Sequence, residues 1–265
     1  MSEASSGRLL LGTQGFSFDD WVGPFYPPGT PKRSYLEEYA KRLPSVEIDS
    51  SFYGTPRAKT VQGWFERTPD DFCFAAKFPR QITHDKKLDG AQADAEYFIA
   101  TMQALKEKLG VLILQFAYDF TPDHLELLET FLDTLPTGVR YAVEIRNRKW
   151  LTPELGEMLS ERNAALVLQD LHYMPRVDWI TADFTVIRWL GRRKDISRFD
   201  EIQIDRTSKL EWWAERVQKF LQAGVDVFGY FNNHFAGHSP ASVRQFAEML
   251  EIELPPSTSL GSDNN

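Results

Sequence analysis

Residues Ser45–Pro56 read SVEIDSSFYGTP. The first half has the two-residue period of a β-strand: Val46 and Ile48 fall on one face, Glu47 and Asp49 on the other. Removing a carboxylate from water costs several kcal/mol unless cations, dipoles or a ligand offset it. A strand in an otherwise apolar setting that carries two such groups is therefore read as one wall of a polar site. Helical periodicity flanks it on both sides. Ser34–Leu43 places Leu36, Tyr39, Ala40 and Leu43 at helical spacing behind a Ser34 cap, with Glu37 three residues on, and Ala58–Arg67 turns Val61, Trp64 and Phe65 to one face.

Working outward, the same alternation recurs along the chain. Strand-like runs are expected at Arg8–Gly12, Phe72–Phe78, Val111–Gln115, Arg140–Arg146, Ala165–Gln169, Phe184–Trp189 and Val225–Phe231. Helices are expected at Ala91–Leu109, from Thr121-Pro122 to Asp133 with Pro at the first helical position, and at Pro153–Glu161, Leu210–Leu221 and Pro240–Leu250. Leu171–Asp183 has no helical period, so the connection after the sixth strand is expected to be irregular. About eight strands, nearly all followed by helices and with no linker-like break, predict an α/β fold. The expectation is a single closed (β/α)8 barrel of the TIM type over residues 8–252, with a loose tail at 1–7 and a disordered one at 253–265. An open doubly wound sheet is the structural alternative.

Composition narrows the setting. The chain has 265 residues, 42% hydrophobic and 26% charged, which suits a folded domain with a sizeable core. With a formal net charge of -8, nothing in the overall field favours nucleic acid or anionic lipid, so such contacts would need a local basic patch. Cys73 is the single cysteine, which excludes an intrachain disulfide and suits a reducing compartment. The opening MSEASSGR has no apolar segment, and no run approaches the length of a membrane span. Neither a signal peptide nor a membrane partner is expected, and a cytoplasmic location is.

In a barrel of this type the chemistry gathers at the carboxyl ends of the strands. Those ends supply Glu47, Asp49, Lys77, Gln115, Glu144, Arg146, Gln169 or Asp170, Arg188, Tyr230 and Asn232, with Asn233 beside the last. Three carboxylates face three cations, so the set is read either as a structural ion-pair network or as a pocket for a small molecule. The pocket reading expects an anionic, phosphate-like or sugar-like ligand held by Arg146, Arg188, Gln115, Asn232 and Asn233, with Asp49, Tyr53, His84 and Tyr230 in the same wall. In its catalytic form Glu47 and Glu144 act as acid and base, as in glycoside cleavage if their spacing allows, and Lys77 steadies negative charge.

Other classes remain open on the residues alone. Arg192, Arg193, Lys194 and Arg198 form a basic loop within 191–198 that, with the aromatic rim, could serve nucleic acid or protein. Phe16, Phe18, Trp21, Phe25, Tyr26, Phe52 and Tyr53 are read first as loop packing and second as a stacking wall. His84, His172 and His234 follow strands and could join Asp170 or Glu144 in a metal-dependent hydrolase, but no HxH or HExxH spacing supports it. GxGxxG, GxxxxGK[ST] and GxSxG motifs are absent, and no cofactor or metal is expected. The oligomeric state is left open.

The motifs GTQGFSFDDWVGPFYP, VEIDSSFYGTP, FCFAAKFPRQITH, YAVEIR with Trp150 after it, and YFNNHFAGHSP resemble the YecE-like family, domain-of-unknown-function family seventy-two. They recur in the family's order over roughly residues 8–250. The resemblance implies a TIM-type barrel and no assigned activity. Its motif positions include Gly12, Gly15, Trp21, Tyr26, Glu47, Phe52, Tyr53, Lys77, Thr83, His84, Gln115, Glu144, Arg146, Arg188, Asn232 and Asn233. Three departures stand out. Asp49 replaces the family's usual Asn, Trp189-Leu190-Gly191 stands where a His-Gly pair is usual, and Ala117-Tyr118 stands where Pro-Pro is favoured.

Overall fold

A computed structural model describes residues 6–192 and 194–255. Residues 1–5 of the expected N-terminal tail, Arg193 of the basic loop and residues 256–265 of the expected C-terminal tail lie outside the described residues. The described strands are β1 (Leu9–Gln14), β2 (Ser45–Ile48), β3 (Cys73–Lys77), β4 (Leu109–Gln115), β5 (Tyr141–Glu144), β6 (Ala165–Asp170), β7 (Phe184–Trp189) and β8 (Asp226–Phe231). Each pairs in parallel with the next, and β1 pairs with β8 in the register Leu9↔Val227 to Thr13↔Phe231, so the sheet closes into a barrel. That closure excludes the open doubly wound sheet.

Helices α1 (Tyr35–Ala40), α2 (Ala58–Glu66), α3 (Gln92–Met102), α4 (Leu125–Asp133), α5 (Pro153–Glu161), α6 (Thr207–Gln222), α7 (Asn233–Ala236) and α8 (Ser239–Met249) lie along the connections. Among the described residues, 171–183 hold no helix, as the sequence predicts. No described helix is long and apolar enough to cross a membrane.

Two apolar layers follow from strand parity. Outward residues such as Val46, Ile48, Leu112, Leu114, Ile187 and Phe231 join the helices in the main core. Inward residues, among them Cys73, Ala75, Val111, Ile113, Ala142, Val167, Val186, Phe228 and Tyr230, fill the barrel itself. Small side chains on β3, β5 and β6 leave room for the Phe184 and Phe228 rings, which meet edge to face at 6.1 Å. Below them, at the amino ends, Asp226 accepts from Arg8 at 2.9 Å and Arg140 at 3.0 Å. Asp226, Arg8 and Arg140 thus form a clasp on the side away from the site.

Several boundaries differ from the sequence reading, and two of the differences have a clear physical cause. Strand β1 does not stop at Gly12 but runs to Gln14. Gly12 is there because of a close approach: a Cβ at this position would lie 1.9 Å from the Ser45 carbonyl oxygen. The helix expected over Ala91–Leu109 ends at Met102, and a tighter segment Gln103–Lys108 follows with Lys106 at φ 50°. Lys108 is drawn inward by its own hydrogen bonds, donating from Nζ to the Phe65 and Thr68 carbonyls at 2.7 Å each. The aromatics of the first long loop pack on one another, as their first reading holds. Trp21, Phe25 and Tyr26 are buried against Tyr35 and Tyr39, with Tyr26 and Tyr35 stacked at 4.7 Å.

Candidate functional site

The inward parity that carries apolar residues through the barrel ends, strand by strand, in a polar group. Residues 10, 12 and 14 of β1 lead to Gln14, and 45 and 47 of β2 lead to Glu47. In β3, 73, 75 and 77 lead to Lys77, and β4 to β8 lead in the same way to Gln115, Glu144, Gln169, Arg188 and, one step past β8, Asn232. The register sets Gln14 opposite Glu47, Gln115 opposite Glu144 and Gln169 opposite Arg188. A ring of polar groups therefore caps the apolar interior, and Arg188 is its hub.

Arg188, only 2% exposed, grips Glu47 with both arms of its fork: Nε donates to Oε2 and Nη2 to Oε1, each at 2.8 Å. Its remaining nitrogen, Nη1, donates to Glu144 and to Gln115 Oε1, the latter at 3.2 Å. Arg146 pairs with the other oxygen of Glu144. Lys77 lies 3.7 Å from Glu47, pairs closely with Asp49, and sits over the Phe52 ring at 5.4 Å. All six charges of the mouth are thus paired, as the network reading requires.

A cavity of about 380 Å³ nonetheless opens above them. Its wall includes Gln14, Asp49, Phe52, Tyr53, Lys77, His84, Gln115, Tyr118, Arg146, Tyr173, Arg188, Asn232 and His234. Glu47 and Glu144 are fully buried and form none of that wall. The residues expected to act as acid and base are thus placed out of the wall: both carboxylates are buried and pair with Arg188, Lys77 and Arg146. Network and cavity are one arrangement: Lys77, Arg146, Arg188 and Asp49 stand in the wall, and Glu47 and Glu144 lie buried behind them.

Two further expected residues are placed elsewhere. Tyr230 belongs to the tier below: its ring is buried in the barrel and its hydroxyl lies 2.9 Å from Ser45 Oγ. Asn233 follows Asn232 with the opposite orientation, and its Oδ1 accepts from the Ser239 backbone at 3.0 Å and hydroxyl at 2.7 Å, so it fastens the start of α8. Asn232 does face the cavity, donating to Gln14 Oε1 at 2.9 Å.

The environments separate the carboxyls. Burial pushes the Glu47 carboxyl up against the pull of Arg188 and Lys77. Glu144 is equally buried, but Arg146 and Arg188 together outweigh the desolvation and hold it below its ordinary value. For Asp49 too burial acts upward, and Lys77 with Arg188 brings the net shift down. Burial, with Arg80 nearby, lowers the His84 imidazole below its ordinary value. His84 is carried into the wall by a π-helical turn, Gln81–Asp85, a distortion that recurs at functional sites. Its Nδ1 lies 2.9 Å from Thr83 Oγ1 and its ring meets Phe52 at 5.0 Å.

The residues of the metal reading do not converge. Asp170 turns outward to Lys209 and to Trp213 Nε1 on α6, Glu144 is occupied by two arginines, and His172 packs on Tyr173. Among the described residues no three His, Cys, Asp or Glu side chains gather as a group able to hold a metal ion. In the basic loop, Arg198 pairs with Asp200, and the neighbouring Phe199 backbone donates to Asp20 at 2.9 Å, so this segment is tied to the first long loop. Gln14, Tyr118 and Tyr173 are wall residues that the strand-end reading omits. Counting the inward parity of β1 past Gly12 leads to Gln14, whereas the tyrosines sit on irregular loops that carry no such signal.

Comparison with known proteins bears on the whole chain. A family model described as "Protein of unknown function DUF72" matches residues 10–261. The UPF0759 protein YunF of Bacillus subtilis is 24% identical over 92% of this chain and 95% of its own. The UPF0759 protein YecE of Escherichia coli K12 is 38% identical over a shorter stretch, 42% of this chain and 41% of its own. A crystal structure of a DUF72 family protein from Thermotoga maritima superposes with a TM-score of 0.79 at 28% identity, covering 92% of this chain and 99% of that one. A second, from Enterococcus faecalis, has a TM-score of 0.74 at 23% identity over 95% and 99%. With its barrel, its strand-end motifs and a family match from the first strand onward, the chain belongs to the DUF72 family.

Proposed function

We propose that the barrel mouth binds a small anionic or sugar-phosphate-like ligand. The observation that carries this reading is the vertical order of the charges. Lys77, Arg146 and Arg188 stand in the wall of a cavity of about 380 Å³, while Glu47 and Glu144 lie buried behind them. A network serving stability alone has no need to present its cations to an open space. Here the carboxylates fix the cations in place, so little side-chain entropy remains to be lost when an anion arrives. Gln14, Gln115 and Asn232 add amide donors and acceptors suited to hydroxyl groups. Proton transfer within such a site falls to wall groups, His84 foremost, with Lys77 and Arg146 steadying negative charge.

The test is a thermal-shift and calorimetric screen of the purified chain with inorganic phosphate, glucose 6-phosphate, gluconate and neutral glucose. The anionic probes raise the melting temperature; a probe at 100 times its Kd adds about 2.7 kcal/mol to the native state. Glucose gives a smaller effect, and Arg146→Leu weakens every anionic probe. Absence of binding by all the anions, or affinities indifferent to Arg146→Leu, would overturn the reading.

A further inference from the structure

The cavity does not end at Arg146. A second hollow of about 500 Å³ begins there, lined by Tyr118, Arg146, Arg148, Tyr173 and Met174, and it shares Tyr118, Arg146 and Tyr173 with the inner one. The two hollows adjoin along these three residues, the inner one lined by Arg188 and the outer one by Arg148. The loop after β6, lacking the helix that fills this place in other repeats of the barrel, brings Tyr173 and Met174 to its edge. Both tyrosines are strongly exposed, Tyr118 by 68% and Tyr173 by 47%. Tyr173 is also held in place, its hydroxyl accepting from Arg146 Nη1 at 3.4 Å. Tyr173 meets His172 edge to face at 5.0 Å, and exposed aromatic rings beside polar groups are suited to stacking on a ligand's apolar face.

Charge decides the chemical class of the occupant. Lys77, Arg146 and Arg188 carry three positive charges, and Glu47, Asp49 and Glu144 return three negative ones. The inner mouth therefore offers many charge-assisted donors with no net charge, on a chain whose formal charge is -8. A polyphosphate backbone gains little from such a field. A carboxylate set among hydroxyls gains directional hydrogen bonds without needing a net positive site. The outer hollow also has an aromatic residue and a cation in its lining, Tyr118 and Arg148.

Resting on the anionic-ligand reading above, the geometry points to an acidic oligosaccharide, of at least two rings with a carboxylate on each, as the ligand class of these adjoining hollows. One acidic ring occupies the inner cavity and the next lies along Tyr118 and Tyr173 toward Arg148.

Matched probes separate the two claims: galacturonate against digalacturonate, with gluconate and inorganic phosphate as simple anions and a 5′-phosphorylated thymidine dinucleotide as the competing class. Calorimetry is expected to show digalacturonate binding about tenfold or more tighter than galacturonate. Arg148→Gln and Tyr118→Ala, both at exposed positions, reduce the affinity for digalacturonate several-fold more than that for galacturonate. If galacturonate and digalacturonate bind equally, the extended site is wrong while the inner anion site stands. If the dinucleotide outcompetes digalacturonate, the saccharide assignment is overturned. If phosphate, gluconate and galacturonate all fail to bind, the anion reading itself falls and the extension with it.

Discussion

Arg188 shows how a single side chain can both tie a fold together and stand in the wall of a candidate site. Four of its five N–H donors go to Glu47, Glu144 and Gln115. Replacing it with Leu removes one charge and leaves two buried carboxylates facing each other. Loss of about 3–5 kcal/mol is expected, read by urea denaturation. Adding Glu47→Gln to that variant should return part of the loss, because one stranded charge disappears; full additivity would refute the coupling. His238 makes a second prediction. Its ring is buried against Trp21 and Phe25, at 6.1 and 6.5 Å, and that burial lowers its pKa from 6.5 to about 4. As pH falls below about 6.5 the unfolded chain takes up this proton and the native state does not, so stability declines until about pH 4, where both states are protonated. The full swing is on the order of 3 kcal/mol, from about 1.4 kcal/mol per pKa unit. His238→Phe should flatten the stability profile between pH 4 and 6.5; an unchanged slope would assign it to other groups. What the sequence could show at this scale was direction and not depth. Parity identifies Glu47, Lys77, Glu144 and Arg188 as inward, but whether a group forms the wall or lies beneath it depends on which neighbour reaches over it. Tyr230 was misplaced for the same reason: it points inward, one tier too low.

At the level of elements, the segments legible in advance were those whose local signals agreed. Pro153–Glu161 and Phe184–Trp189 have the expected bounds, the first set by Pro at its start and the second by an uninterrupted alternation. The failures came where a tertiary contact overrode periodicity. The helical pattern over Ala91–Leu109 continues smoothly through Lys108, yet the chain breaks at Met102 because Lys108 is needed elsewhere. Its ammonium group closes the end of α2 by donating to the Phe65 and Thr68 carbonyls, with the Phe65 ring beneath it at 4.4 Å. Lys108→Met keeps the stem and removes the charge, leaving those carbonyls without their donor. A loss of about 1–3 kcal/mol is expected, a fall of several degrees in Tm for a chain of this size. Lys108→Arg is expected to restore only part of it, since a planar fork presents its donors differently from the single ammonium that reaches both carbonyls. A thermal melt unchanged by Lys108→Met would show the contact to be incidental.

On the scale of the molecule, the barrel has two ends with different work. The lower end is fastened by Asp226 between Arg8 and Arg140, joining β8 to the residue that precedes β1 and to the one that precedes β5. Asp226→Asn should lower the melting temperature while leaving probe binding at the mouth unaltered; a change in ligand affinity would mean that the two ends communicate. The upper end holds the polar ring and its loops. Alternation of strands and helices made the barrel legible from composition and periodicity alone, because each unit repeats the same local logic. The outer hollow was not legible, since the loops after β4 and β6 follow no period and their tyrosines meet only in space. One further consequence follows from the filled interior. Phe184, Phe228, Tyr230 and the small residues around them leave the mouth backed by a solid floor. For the ligand proposed above, that floor bars passage through the barrel, so entry and exit share the open side of the mouth, and two such ligands would compete for it in time as well as in affinity.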